Sequence, residues 1–198
     1  MQPNQDKKNI SLTCYFGRPA HLAGLVALIA SFTPVDAADV NIERRTVAVE
    51  HIEIHSAKTF DVVASRLETA VPALDPAIFA ALSSGDQQHV DKLLGDTPLF
   101  IFLKREHGAI LKIWGQPRKA MQYEIGNPLT ATKMTRYKLG ASLYAPLRVT
   151  LYENEAGGST FAYDQPSNLF GQFGDERVAV VARGLDEKIK AVLLRAAE

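Results

Sequence analysis

The sequence predicts an α+β fold: a mostly antiparallel sheet covered on one face by helices, a two-layer sandwich. Three observations predict it. Leu147, Val149 and Leu151 alternate with Arg148, Thr150 and Tyr152; after Asn154-Glu155-Ala156-Gly157-Gly158, Phe161 and Tyr163 alternate with Thr160 and Ala162. Two alternating runs joined by a glycine-containing turn make an antiparallel hairpin with one buried face. A long helix then closes the chain, from about Asp175 to Ala197, with Val178, Val181, Leu185, Ile189 and Val192 as an apolar stripe suited to cover that face. The remaining strand and helix signals follow in an order that fits helices packed on one side of such a sheet.

Thr46 to His55 reads as the first strand, rich in Val and Ile, with Ile52 and Ile54 alternating with His51, Glu53 and His55. Ser56 is placed to cap the next helix, residues 58–71, whose Phe60, Val63, Leu67 and Val71 recur at helical spacing until Pro72 ends it. Residues 72–97 are polar and punctuated by Asp and Gly. They read as a surface connection with helical pieces near 76–82 and 86–94. Leu99 to Leu103 is an apolar run, a buried strand. A second helix starts near His107, carries Ile110, Leu111, Ile113 and Trp114, and is closed by Gly115 and Pro117. Met121 to Ile125 is a further strand. At Gly126-Asn127-Pro128, Asn127 is a good helix cap and Pro128 suits the first helical position, where a missing N–H costs nothing. A short helix over about 128–136 should follow. Gln165 to Gly174 reads as a looser segment.

The first forty residues differ in kind. Lys7, Lys8 and Arg18 precede Leu22–Phe32, an uncharged run of 11 residues followed by Val35-Asp36-Ala37-Ala38. A basic start, a short apolar stretch and small residues at a cleavage point define a secretory signal. The expected organisation is a cleaved signal peptide over residues 1–37 and a single domain over 38–198, with a periplasmic or secreted address. The run is too short for a bilayer span, which needs about 20 residues. After cleavage nothing is left to anchor the chain stably in a membrane. A buried N-terminal helix is the competing reading, favoured by Asp6 and by the long stretch before the run.

Cys14, the sole cysteine, lies in the expected leader, so the mature domain has no disulfide, thiolate catalysis or cysteine-held metal. Removing residues 1–37 leaves 19 basic and 20 acidic residues. A near-neutral domain with no basic tract is a poor nucleic-acid binder.

Tyr123-Glu-Ile-Gly126-Asn127-Pro128, Met134, Tyr144-Ala-Pro146-Leu147-Arg148-Val149 and Tyr163-Asp-Gln-Pro166 form an ordered set. In their order and spacing they resemble domain of unknown function 302, over about residues 45–197. The run Leu169–Arg177 looks like an extension found in one branch of that family. The 72–97 connection departs from it, being longer than in compact members. The resemblance implies a small α+β sandwich with an antiparallel sheet, often paired as a homodimer, and implies no activity.

Several residues are candidates for chemistry. His51, Glu53 and His55 share one face of a strand, with Cα atoms roughly 6.6 Å apart per step, and imidazole with carboxylate suits zinc or copper. A solvated strand face is the favoured reading of the three, since a metal site also needs a third ligand and an ordered second shell and the sequence shows neither. His107, after Glu106, sits at a strand-to-helix junction, where a carboxylate-oriented imidazole can act as general base. The resemblance adds weight, since a histidine is frequent at this point in the family. Asn127 serves either a ligand or the helix cap. Tyr123, Tyr144 and Tyr163, with Arg148, could line a polar pocket on the sheet, or pack in the core and at a subunit contact. Tyr152 belongs with the same tyrosines. No nucleophile elbow, phosphate-cradling glycine loop or helical His pair is present.

The favoured reading is an exported, non-catalytic module for a small ligand or partner protein, its site gathered around His107, Asn127 and the tyrosines. The alternatives are a dimeric interaction protein, and a metal- or His-based enzyme using His107 or His51, Glu53 and His55. The sequence specifies no cofactor.

Overall fold

A computed structural model describes residues 40–198. The expected leader, residues 1–37, lies outside them. The chain divides into two units, Met1–Glu43 and Arg44–Glu198, and every described strand and helix belongs to the second.

The elements run β1 (His51–Ser56), α1 (Phe60–Ala70), α2 (Pro76–Ser84), α3 (Gln87–Leu94), β2 (Phe100–Glu106), α4 (His107–Ile110), a 3-10 turn (Leu111–Trp114), β3 (Ala120–Gly126), α5 (Pro128–Thr135), a second 3-10 stretch (Leu139–Tyr144), β4 (Leu147–Glu153), β5 (Ser159–Asp164), α6 (Pro166–Gly171) and α7 (Glu176–Ala197). The five strands form one sheet in the order β1-β5-β4-β3-β2, and every pairing is antiparallel. The expected fold class holds.

Strand alternation sorts the side chains. Tyr123, Ile125, Val149, Leu151, Phe161 and Tyr163 point to one face and are buried with Val63 and Leu67 of α1 and with Val178, Leu185, Ile189 and Leu193 of α7. The opposite face carries His51, Glu53, His55, Arg148, Thr150, Gln122 and Glu124.

Four expectations are corrected. β1 begins at His51, not Thr46, because β1 is an edge strand whose sole partner, β5, ends at Asp164. The Gln165 N–H still donates to the Glu50 carbonyl at 2.9 Å, and beyond it the chain has no ladder to join. Ser56 does not cap α1. Its hydroxyl donates to the Ala197 carbonyl and accepts from the Lys58 N–H, fastening the end of β1 to the end of α7. The loose segment after the hairpin contains α6, with Pro166 at its first turn.

The 72–97 connection is the fourth. It is not merely a surface strap: Ile78, Ala81, Val90 and Leu94 bury a small core of their own against Phe100. Phe100 and Ile101 are neighbours in one strand and so face opposite ways. Ile101 enters the main core, while Phe100 turns outward to α2 and α3. This helix pair therefore packs on the outer side of the sheet at the start of β2, and helices are not confined to one face. A bulge between Ile101 and Leu103 interrupts β2 at this point. The Ile101 N–H donates to the Pro72 carbonyl and its carbonyl accepts from the Leu74 N–H, so the outer edge of β2 is covered here.

Candidate functional site

The two hydrophobic clusters leave a gap where they meet. β3 ends at Gly126, and Asn127 turns the chain into α5. Its Oδ1 accepts from the Thr130 N–H at 3.0 Å, and its amide donates to the Thr97 carbonyl at 3.3 Å. With φ and ψ of −138° and 125°, Asn127 is the cap its sequence position predicts. Beside it lies a cleft of about 370 Å³, within the size range of small-molecule pockets. Met134, Phe170 and Leu185 wall it from the main core side; Leu82 and Phe102 wall it from the small core, with the half-exposed Phe79 set edge-on to Phe102. The segment Ala145-Pro146, joined by a cis peptide bond, closes it opposite Gly126.

This cleft is apolar. Asn127, Thr130 and Thr132 supply its polar groups, and among the described residues that line it none is titratable. The Asn127 side chain is committed to its cap bonds, and the Thr132 hydroxyl donates to the Leu129 carbonyl at 2.8 Å. The Thr130 hydroxyl makes no hydrogen bond among the described residues, which leaves it as the free polar group of the lining.

The residues singled out in the sequence do not share one cavity. Asn127 lines the cleft. Tyr144 and Arg148 line a separate hollow with Glu124 and Leu143, which shares Ala145 and Pro146 with the cleft. Arg148 forms no hydrogen bond or ion pair among the described residues, and Tyr144 packs edge-on against Phe170, ring centres 6.1 Å apart. Glu106 and His107 stand exposed at the far end of β2, since β2 brings Phe100, not Glu106, opposite Gly126.

Tyr123 and Tyr163 face the core. Tyr123 donates its hydroxyl to Glu68 Oε1 at 3.0 Å. Burial raises its pKa above the ordinary 10, and the Glu68 charge and hydrogen bond raise it further. Burial also raises the pKa of Tyr163, aided by Asp186.

His51, Glu53 and His55 do lie on one face of β1, and their contacts diverge. His51 Nδ1 is 2.9 Å from Asp164 Oδ1, on β5. His55 Nδ1 is 3.0 Å from Thr160 Oγ1, and its Nε2 is 3.5 Å from Glu53 Oε2. The other Glu53 oxygen accepts from the Tyr152 hydroxyl at 2.9 Å. Among the described residues, no three His, Cys, Asp or Glu side chains are grouped as a metal site needs.

The walls of the cleft escaped sequence reasoning. Phe79 and Leu82 lie in the segment read as a surface connection, and no periodicity shows that it folds against Phe102. The Gly126-Asn127-Pro128 turn was the visible part.

Fold and cleft together define an α+β domain with an antiparallel sheet and a half-open apolar cleft at one end of it. The model of the family "Domain of unknown function DUF302" matches residues 87–196, from α3 through α7. The chain belongs to this family. Among solved structures it is similar to the crystal structure of an uncharacterized conserved DUF302 protein from Bacillus stearothermophilus, at 16% identity and a TM-score of 0.55, over 74% of this chain and 97% of that one. That likeness is one of fold. No curated protein matches the chain.

Proposed function

We propose that this chain is a non-catalytic, exported module that binds a small apolar molecule in the cleft between α2, α5 and the ends of β3 and β4. The observation that carries the reading is the lining itself: side chains from both hydrophobic cores around about 370 Å³, Asn127, Thr130 and Thr132 as the polar residues, and no titratable group. Such a lining favours an acyl chain or a fused ring system with one hydrogen-bonding group near Thr130.

Thermal unfolding with saturated fatty acids of increasing length, and with polycyclic compounds, tests the reading. A ligand present at 100 times its Kd adds about 2.7 kcal/mol, a rise of roughly 5–10 °C for a chain of this size. The shift should vanish in Ala131→Phe, which places a ring in the cleft. Native mass spectrometry of protein from its own host should show the adduct. No shift with any compound of either series, together with repeated isolation bare, overturns the proposal.

The export rests on residues 1–37 read as a leader, and N-terminal sequencing of the mature protein should begin at Ala38. Pairing into a homodimer, which the family resemblance implies, belongs to the same reading and is tested by light scattering at micromolar concentration.

A further inference from the structure

A second feature lies at the opposite end of β2 from the cleft. Ile110 and Ile113, three residues apart across α4 and the 3-10 turn that continues it, stack on one side, and Trp114 follows Ile113 directly. They are 60%, 75% and 75% exposed. Three large apolar side chains held in water at one tip are costly unless something covers them.

The tip is built, not loose. Gly108 is buried so tightly at its base that a Cβ there would meet the Arg118 carbonyl oxygen at 2.0 Å and the Ala120 nitrogen at 2.8 Å. Gly115, at φ 67°, turns the chain back toward β3. The fold thus holds these side chains outward.

Charge indicates the partner. The segment from Lys104 to Lys119 carries five Lys and Arg residues and one acid, Glu106, in a chain that is neutral overall. Lys104, Arg105 and Lys119 are paired with Glu68, Glu124 and Asp61. Lys112, inside the apolar triplet, and Arg118, beside it, form no ion pair among the described residues; Arg118 donates to the Glu153 carbonyl at 3.1 Å. Glu153 and Glu155 lie on the Arg118 and Lys119 side, so the cations of the tip without an ion pair among the described residues are Lys112 and Arg118. Tryptophan and isoleucine flanked by these two match an anionic lipid surface, where indole settles at headgroup depth and lysine and arginine meet lipid phosphates.

We infer that Ile110, Ile113 and Trp114, flanked by Lys112 and Arg118, form a docking tip for the surface of an anionic lipid bilayer. The contact is peripheral and reversible, one short amphipathic turn and two cations, not an anchor. The inference does not depend on the cleft holding a ligand.

Trp114 is the sole tryptophan of the chain, so its fluorescence reports this tip and no other part. The full chain is titrated with vesicles of phosphatidylserine and phosphatidylcholine, and with phosphatidylcholine alone. The expected results are a blue shift and quenching by bromine-labelled acyl chains with the anionic vesicles, both weakened by salt. Lys112→Glu with Arg118→Glu should lower vesicle affinity at least about tenfold. Ile110→Ser with Ile113→Ser retains the fluorophore and should abolish the quenching, even where another segment, such as Leu22–Phe32, holds the chain on the vesicle. Unchanged emission with anionic vesicles overturns the inference. So does quenching that the serine variant retains, or a blue shift that depends on protein concentration without lipid, which would assign the tip to a second copy of the chain.

Discussion

Tyr123 on β3 and Glu68 on α1 are joined by a 3.0 Å hydrogen bond from the phenol to the carboxylate, inside the interface between sheet and helix. The second Glu68 oxygen holds Lys104 of β2 at 2.9 Å. One carboxylate thus ties two strands to α1. Tyr123→Phe leaves that oxygen short of its donor and is expected to cost about 1–2 kcal/mol in urea unfolding near neutral pH. The Tyr123 pKa is raised on folding, so the unfolded chain loses this proton first. Its contribution is complete below the unfolded pKa of about 10 and falls as pH rises beyond it. The gap between wild type and Tyr123→Phe should therefore narrow at alkaline pH. A constant gap from pH 8 to pH 11 would show that the bond is not coupled to ionisation.

Asp175 caps α7, accepting from the Arg177 N–H at 3.0 Å, and it also takes the Arg177 guanidinium at 2.7 Å. The bond to the Arg177 side chain is the main cause of a carboxyl pKa lowered to about 2. That guanidinium also lies over the Tyr137 ring, 3.9 Å from its centre. A depressed carboxylate stabilises the fold above its unfolded pKa, and the contribution is lost as pH falls through the folded one. The window is thus about pH 4 down to about pH 2. Asp175→Asn keeps a cap and removes the charge, so its stability should fall less steeply than the wild type's across that window. Asp175→Ala should lose the cap as well and be the less stable of the two variants at neutral pH. Circular dichroism against pH for the three proteins separates the effects.

Two glycines should respond to alanine with opposite signs. A Cβ on Gly158 would sit 2.1 Å from the Ser56 carbonyl oxygen, where the β4–β5 hairpin meets the end of β1. Neither backbone can yield without disturbing the Ser56 bonds to Ala197 and Lys58, so Gly158→Ala should cost about 2–3 kcal/mol. Gly184 is exposed in the middle of α7, and a Cβ there meets nothing within 4 Å. Gly184→Ala should add about 0.5–1 kcal/mol by helix propensity alone. Urea midpoints at constant m-value decide both.

These residues also show what the sequence could carry. The hairpin and α7 were legible because alternation and the apolar stripe are local patterns, each imposed by a single buried face. The Asn127 cap was legible because its chemistry is confined to three residues. The start of β1 was not, because it is set by where β5 stops, more than a hundred positions away. The role of Ser56 depended on Ala197 for the same reason. His107 and Asn127 both looked like site residues at strand ends, yet antiparallel pairing of β2 with β3 sends them to opposite ends of the sheet. Local spacing contains no register, so it could not show that separation. The cleft was hidden further, since one of its walls depends on α2 and α3 crossing to the outer face.

Gly126 offers the most direct control over that cleft. It is buried at the last position of β3, and a Cβ there would lie 3.5 Å from Pro146 Cβ and 3.6 Å from Phe102 Cε2, ordinary contact distances. Gly126→Ala should fold with little change, within about 1 kcal/mol, because the methyl enters space that is already open. Gly126→Val extends the branch between Pro146 and Phe102 and narrows the cleft at its centre. The expectation is a graded series: fatty-acid stabilisation close to wild type in the alanine variant, and reduced at least about tenfold in affinity in the valine variant, with the free protein still folded. Thermal shifts with and without ligand measure both quantities on the same samples. Ligand stabilisation that survives Gly126→Val and Ala131→Phe alike would place the bound molecule elsewhere on the domain.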